Sequence, residues 1–279
     1  MMGKDAKPES ADFLDSLLGP ATSTLDPGEA ARRGAKRVLP KRFWREVGVV
    51  RHLDGFALAL DGKLARTPAR HVLAVPVLTL AEALAQEWKA LGPTIDPAKM
   101  PLTRLLYTAL DAVASAPLPV AREIVKYAAS DLLCYREVEN ARLAARQSSH
   151  WDPPLAYLRE ALGAHFKLAQ GVMFVEQEDA AVEAVRRAVS RVPAPFGLAA
   201  LHVVTTLTGS AILALAFAGG ALSADEVWTA AHVDEDFQSE AWGKDAEAAE
   251  RRAARRAEFD AAALVLATEK VGRASPIRT

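Results

Sequence analysis

The stretch from Arg45 to Val75 reads REVGVVRHLDGFALALDGKLARTPARHVLAV, and its alternation predicts a small antiparallel sheet. Val47 and Val49 alternate with Glu46 and Gly48, so one face of a first strand is apolar. Phe56, Leu58 and Leu60 share one face of a second. Asp54-Gly55 and Asp61-Gly62 are hairpin signals, because glycine tolerates the positive φ of tight turns. KLART and, beyond Pro68, HVLAV complete a meander of about four strands. A sheet this small has one face to bury and needs another element packed on it.

The period changes at Thr79. Thr79 and Glu82 predict a capping box, and Leu80, Leu84, Trp88 and Leu91 form a helical stripe stopped by Gly92-Pro93. Pro101 suits the first turn of a second helix, with Leu102, Leu105, Leu106, Ala109 and Val113 on one face. Pro117 and Pro119 interrupt it, and Val120, Ile124, Tyr127 and Leu132 begin a third. From there the chain reads as helical to its end. The expected class is α+β: a small antiparallel β-rich N-terminal domain, residues 41–77, followed by a larger all-α C-terminal domain, residues 78–279. Residues 1–40 read as a flexible polar arm with a basic patch at Arg32, Arg33, Lys36 and Arg37.

Within the helical part, Trp151-Asp152-Pro153-Pro154 predicts a dividing loop, since Asp-Pro favours turns. Leu155 to Leu162 follows as a short helix closed by Gly163. Val182, Val185, Val189 and Val192 mark another, ended by Pro193 and Pro195. Leu198 to Leu222 predicts one central helix, apolar all round. It is long enough to span a bilayer, but His202, a run of hydroxyl side chains and several glycines favour burial in protein. Ser223 and Glu226 predict a capping box that opens SADEVWTAAHVDEDFQSEAWGKD. A long helix from about Ala246 to Val271 closes the chain. Its arginines are interleaved with glutamates, as on a solvated face.

Composition narrows the class. Net charge is −1 over 279 residues, so no global field draws the chain to nucleic acid or to an anionic membrane. A single cysteine, Cys134, excludes an internal disulfide and any multi-thiolate zinc site. The N-terminus lacks the unbroken apolar core of a secretory signal and the acid-poor pattern of a transit peptide. The cytoplasm is expected.

No phosphate-binding glycine loop and no paired histidines at metal spacing occur. His150 beside Asp152 reads as an acid–base pair or as a turn, Ser148 and Ser149 have no nucleophile-elbow context, and Glu87 reads as a buried acid or a rim carboxylate. The other concentration of chemistry is Asp234, Asp236, Phe237, Glu240 and Trp242. Asp236 and Glu240 stand one turn apart, which places like charges side by side. Two readings remain open here. One is a solvated face, with Glu240 paired to Lys244 and His232 to Asp236. The other is a docking surface whose aromatics anchor a partner and whose carboxylates meet its cations.

Ordered blocks along the chain resemble one family. They are RFWREVGVV, LDGKLARTPAR, LAEALAQEW, TIDPAKMPLTRLLYTALDAV, SDLLCYR, HWDPPL, TGSAILALA and DEDFQSEAWGKDAEA, spanning about Arg42 to Leu266. Together they are similar to the assembly chaperones of the alpha subunit of F-type ATP synthase, called assembly factor two in mitochondria. The arm matches nothing in that pattern, and Glu137 to Asn140 replace a more apolar connection. The resemblance implies a bacterial chaperone that is not an enzyme and uses no cofactor or metal. It implies a partner, the free alpha subunit, and a molecule that is monomeric when alone. It also places function on an acidic position of the last block, carried here onto Glu240, with Asp234 and Asp236 as companions.

Overall fold

A computed structural model describes residues 39–53, 55–171, 173–242 and 245–274, without the side chains of 241, 242 and 270–274. The predicted arm, but for its last two residues, lies outside the described residues, as do Asp54 and Lys244. The chain divides into two compact units between Ala112 and Val113.

The first unit is built on β2 (Gly55–Leu60), which pairs antiparallel with β1 (Val47–His52) from Val47↔Leu60 to His52↔Gly55. β3 (Lys63–Leu64) and β4 (Ala74–Val75) both pair with β2, opposite its two ends. Asp61 and Gly62 have φ of 48° and 76°, the two left-handed residues of a type I′ hairpin. The Asp61 carboxylate steadies that turn by accepting the Arg45 and Glu46 N–H groups at 2.9 and 2.8 Å. Gly55 serves a different purpose from the one its Asp-Gly signal suggests. It is the first residue of β2, and a Cβ there would stand 2.5 Å from the Val75 carbonyl. Close approach of β4, not turn geometry, requires glycine.

α1 (Leu78–Lys89) covers the sheet with Leu80, Ala81, Leu84, Ala85 and Trp88. It starts one residue before the expected cap. Val77 is the N-cap and no side chain caps the helix, because β4 leads directly into the first turn. α2 (Pro101–Thr108) has Pro101 at its start and runs on into a π turn, Ala109–Val113. Both helices belong with the strands, so the β-rich unit is longer than residues 41–77. The small sheet cannot bury its face without them.

The second unit is helical apart from a two-stranded parallel ribbon, β5 (Tyr135–Arg136) with β6 (Ala169–Gln170). Its helices are α3 (Pro117–Ala129), α4 (Ala141–Leu162), α5 (Asp179–Val189), α6 (Phe196–Thr208), α7 (Ala211–Gly219), α8 (Ala224–Ala231), α9 (Val233–Trp242) and α10 (Ala246–Ala274). The core lies around α6 and α7, where Leu201, Val204, Ile212, Leu213 and Ala214 are buried. α10 packs along α6, burying Phe259, Ala262 and Val265. Cys134 is fully buried, and that burial pushes its thiol up to about 12.

Three expectations for this unit are corrected. The apolar run Leu198–Leu222 is two helices, not one. Gly209 ends α6 with φ 68°, and the Ser210 hydroxyl caps α7 by accepting the Leu213 N–H at 3.0 Å. A glycine that adopts the left-handed region and a serine cap outweigh apolar continuity. Among the described residues no helix is long and apolar enough to cross a membrane.

The predicted break at residues 150–154 is also absent, since α4 runs through Pro153 and Pro154 for 22 residues. Trp151, fully buried, donates its indole N–H to the Ala230 carbonyl at 2.7 Å. Pro154 and Leu158 are buried one and two turns along. This packing holds a helix that the prolines alone would break.

Finally, the single helix expected after Ser223 is α8 and α9, separated at His232. The capping box of Ser223 and Glu226 is present. His232 is buried, with its ring 4.1 Å from that of Trp228 and Nδ1 2.7 Å from the Trp228 carbonyl. Burial holds its pKa below the usual histidine range.

Candidate functional site

α9 carries all five residues singled out in the sequence, four of them with described side chains, and each of its three predicted acids faces a partner within the second unit. Asp234 accepts the Gln147 amide of α4 at 2.8 Å. Asp236 pairs with Arg252 of α10. That hydrogen bond is the main reason the Arg252 pKa is raised. Glu240 meets two arginines of α4: Arg146 Nη1 lies 2.6 Å from Oε1 and Arg142 Nη2 lies 3.3 Å from Oε2. Phe237, half-buried, lies beneath the Arg142 guanidinium at 5.6 Å. The side chain of Trp242 lies outside the described residues.

This arrangement resolves the cost expected from stacking Asp236 on Glu240. The two carboxylates turn to cations on different helices, α10 and α4, so each has its own counter-charge. His232 does not pair with Asp236; its Nε2 is 3.9 Å from Glu235. The expected Glu240–Lys244 pair falls outside the described residues. Glu240 is neutralised by internal cations but not enclosed. Its side chain is 47% exposed, against 29% for Arg146 and 79% for Arg142. Asp236, by comparison, is 25% exposed and acts as an internal tie.

The arginines were not singled out in the sequence. Their signal was spacing: Arg142 and Arg146 are four residues apart, which puts both on one helical face.

Asp152 and Glu87 have structural partners. His150 and Asp152 are two residues apart on a continuous helix, a spacing at which side chains do not face each other. Asp152 pairs with Arg136 at 2.7 Å. Glu87 accepts the Leu102 and Thr103 N–H groups at 2.8 and 2.9 Å and the Thr103 hydroxyl at 2.5 Å, which closes the start of α2. Burial pushes its pKa up, against those hydrogen bonds.

The sequence also did not flag Asp111, whose Oδ1 meets His71 Nδ1 at 2.9 Å and the Thr67 hydroxyl at 2.5 Å. Burial pushes this carboxyl up, but bonds from Thr67, His71 and Ala69 outweigh it and hold the pKa below the usual range. The hydroxyl donates to the carboxylate and not to the histidine. The cluster pins the Thr67–His71 loop. Among the described residues no group of three or more His, Cys, Asp or Glu could hold a metal. A cavity of about 200 Å³, lined by Tyr157, Leu162, Val192, Leu215 and Leu266 among others, involves no residue of α9.

A family model described as the ATP12 chaperone protein matches residues 41–159. The structure of Atu1473 from Agrobacterium tumefaciens, described as a candidate chaperone, is 42% identical with a TM-score of 0.79, covering 92% of this chain and 95% of that one. Atp12 from Paracoccus denitrificans is 36% identical with a TM-score of 0.75, covering 82% of this chain and 98% of that one.

The chain belongs to the ATP12 chaperone family. It is an ATP synthase assembly chaperone, the class that the ordered sequence blocks imply. The family model ends at residue 159 and so includes Arg142 and Arg146 but not α9. The structural matches extend well past that point.

Proposed function

We propose that this ATP12 family protein holds the free alpha subunit of F-type ATP synthase until the beta subunit takes its place, and that Glu240 is the centre of contact. The observation that carries the reading is the geometry at Glu240. It is the most exposed of the three predicted acids, and Arg146 fixes one of its oxygens. A carboxylate oriented in this way can form a directional, charge-assisted hydrogen bond to an arginine or lysine of the client. Asp234 and Asp236 act one step back, by tying α9 to α4 and α10.

The apolar part of the contact extends beyond Phe237 and Trp242. Phe237 is half-buried beneath Arg142, whereas Val138, Leu168, Met173 and Phe174 of the same unit are exposed. Val138 lies four residues before Arg142, and Met173 and Phe174 follow the strand that pairs with β5. Apolar side chains left open in this way suit a client that must cover its own apolar surface before assembly. Binding of this kind stabilises the client by mass action alone. The protein acts as a stoichiometric partner, not an enzyme, in the bacterial cytoplasm, without a cofactor, and is monomeric until it meets its client.

The test is Glu240→Gln with the purified alpha subunit, read as aggregation of the client on dilution. The variant keeps its fold, because the side chain is half exposed. It loses protection if a desolvated ion pair contributes on the order of 2–5 kcal/mol. Protection equal to that of the parent protein would remove Glu240 from the contact.

A further inference from the structure

The two arginines on Glu240 are not equivalent. Arg146 makes a short bond, 2.6 Å, and is largely sheltered. Arg142 reaches the other oxygen at 3.3 Å and is 79% exposed, where an ion pair contributes little because water competes for both charges. Arg146 is enough to orient Glu240, so Arg142 is surplus to that task. Its guanidinium nevertheless has a defined place, above the half-buried ring of Phe237. A guanidinium over an aromatic face keeps its edge free for a bidentate partner.

We infer that Arg142 is a recognition group in its own right. On docking it releases Glu240 Oε2 and takes a carboxylate of the client, while a cation of the client takes the oxygen it leaves. The partner surface this fits carries an acid and a base side by side. The inference rests on the proposed contact at Glu240 and adds to it the second charge of the client.

Charge balance requires this exchange. A client cation arriving at Glu240 displaces Arg142 into an interface that is losing water. A guanidinium desolvated without an acceptor is strongly unfavourable. The other acids of α9 have partners of their own: Asp236 has Arg252, Asp234 has the Gln147 amide, and Glu235 lies 3.9 Å from His232 Nε2. A client that offers only a cation is therefore disfavoured, and one that offers both charges is selected.

The experiment is a double-mutant cycle on the full chain, with the isolated alpha subunit as ligand and dissociation constants measured at two salt concentrations. The variants are Arg142→Ala, Arg142→Lys, Glu240→Gln and the Arg142→Ala/Glu240→Gln pair. Arg142→Ala is expected to weaken binding by about tenfold, as for a moderate interface contact, without lowering the unfolding midpoint. Arg142→Lys should recover part of the loss, because it keeps the charge without the fork. The weakening should persist in the Glu240→Gln background, since the two side chains meet different groups of the client. Binding by Arg142→Ala that equals or exceeds that of the parent protein would overturn the inference and make Arg142 a cover over Glu240. A loss that vanishes in the Glu240→Gln background would also overturn it, by reducing Arg142 to a support for Glu240. If Glu240→Gln alone leaves affinity unchanged, the contact at Glu240 itself fails, a result separate from both.

Discussion

Asp131 offers a test of how the second unit is held together. Its carboxylate is fully buried and joins two segments distant in sequence. One oxygen accepts the Leu133 N–H at 3.2 Å, within the turn after α3. The other accepts the Ile212 N–H at 3.0 Å, at the start of α7. The Ser210 hydroxyl bonds to it as well. Replacement by alanine strands two buried backbone donors, at a cost of roughly 2–6 kcal/mol from 1–3 kcal/mol each. Asparagine keeps one acceptor oxygen and removes the charge, so comparison of the two variants separates hydrogen bonding from ionisation.

Burial raises the Asp131 pKa from 3.8 to about 6, against the hydrogen bonds that favour the carboxylate. A pKa raised in the folded state stabilises the fold below pH 3.8, and that contribution is lost as pH rises through 6. Between those values the parent protein is expected to lose about 3 kcal/mol relative to Asp131→Asn. Urea unfolding followed by tryptophan fluorescence at several pH values from 4 to 7.5 measures the difference, because Trp151 and Trp228 report on this unit. A difference between parent and Asp131→Asn that does not change with pH would refute the reasoning. It would mean that the hydrogen bonds, not burial, set the ionisation.

Two further substitutions probe the packing around α4. Gly219→Ala places a Cβ 1.9 Å from the Tyr157 hydroxyl. It should cost about 1–3 kcal/mol by overpacking, and the effect should shrink in a Tyr157→Ala background when both are measured by chemical unfolding. Trp151→Phe leaves the Ala230 carbonyl without its indole donor and should lower stability by about 1–3 kcal/mol. A thermal midpoint unchanged by that substitution would show that the bond does not hold α4 as a continuous helix.

Much of the architecture was legible because local rules and tertiary contacts agree. The β1–β2–β3 meander follows from alternation and Asp61-Gly62, the capping box from Ser223 and Glu226, and the C-terminal helix from its periodic charges. Local signals misled where distant groups decide. Pro153 and Pro154 signal a break, yet the Trp151–Ala230 bond and burial of Pro154 and Leu158 keep α4 whole. Gly209 and Ser210 end a helix inside an apolar run that reads as continuous, and Asp131, 81 residues away from Ile212 in the chain, helps fix where the next one begins.

The same division applies to the site. The sequence by itself determined that acids and aromatics gather in one helical stretch and that the ordered blocks resemble a chaperone family, because residue identity and order survive without coordinates. Only the tertiary structure decided which acid remains reachable. Asp236 turns inward to Arg252, 16 residues on, and Glu240 outward to Arg142 and Arg146, 98 and 94 residues back, since ion pairing depends on distances of a few ångströms between helices and not on separation along the chain.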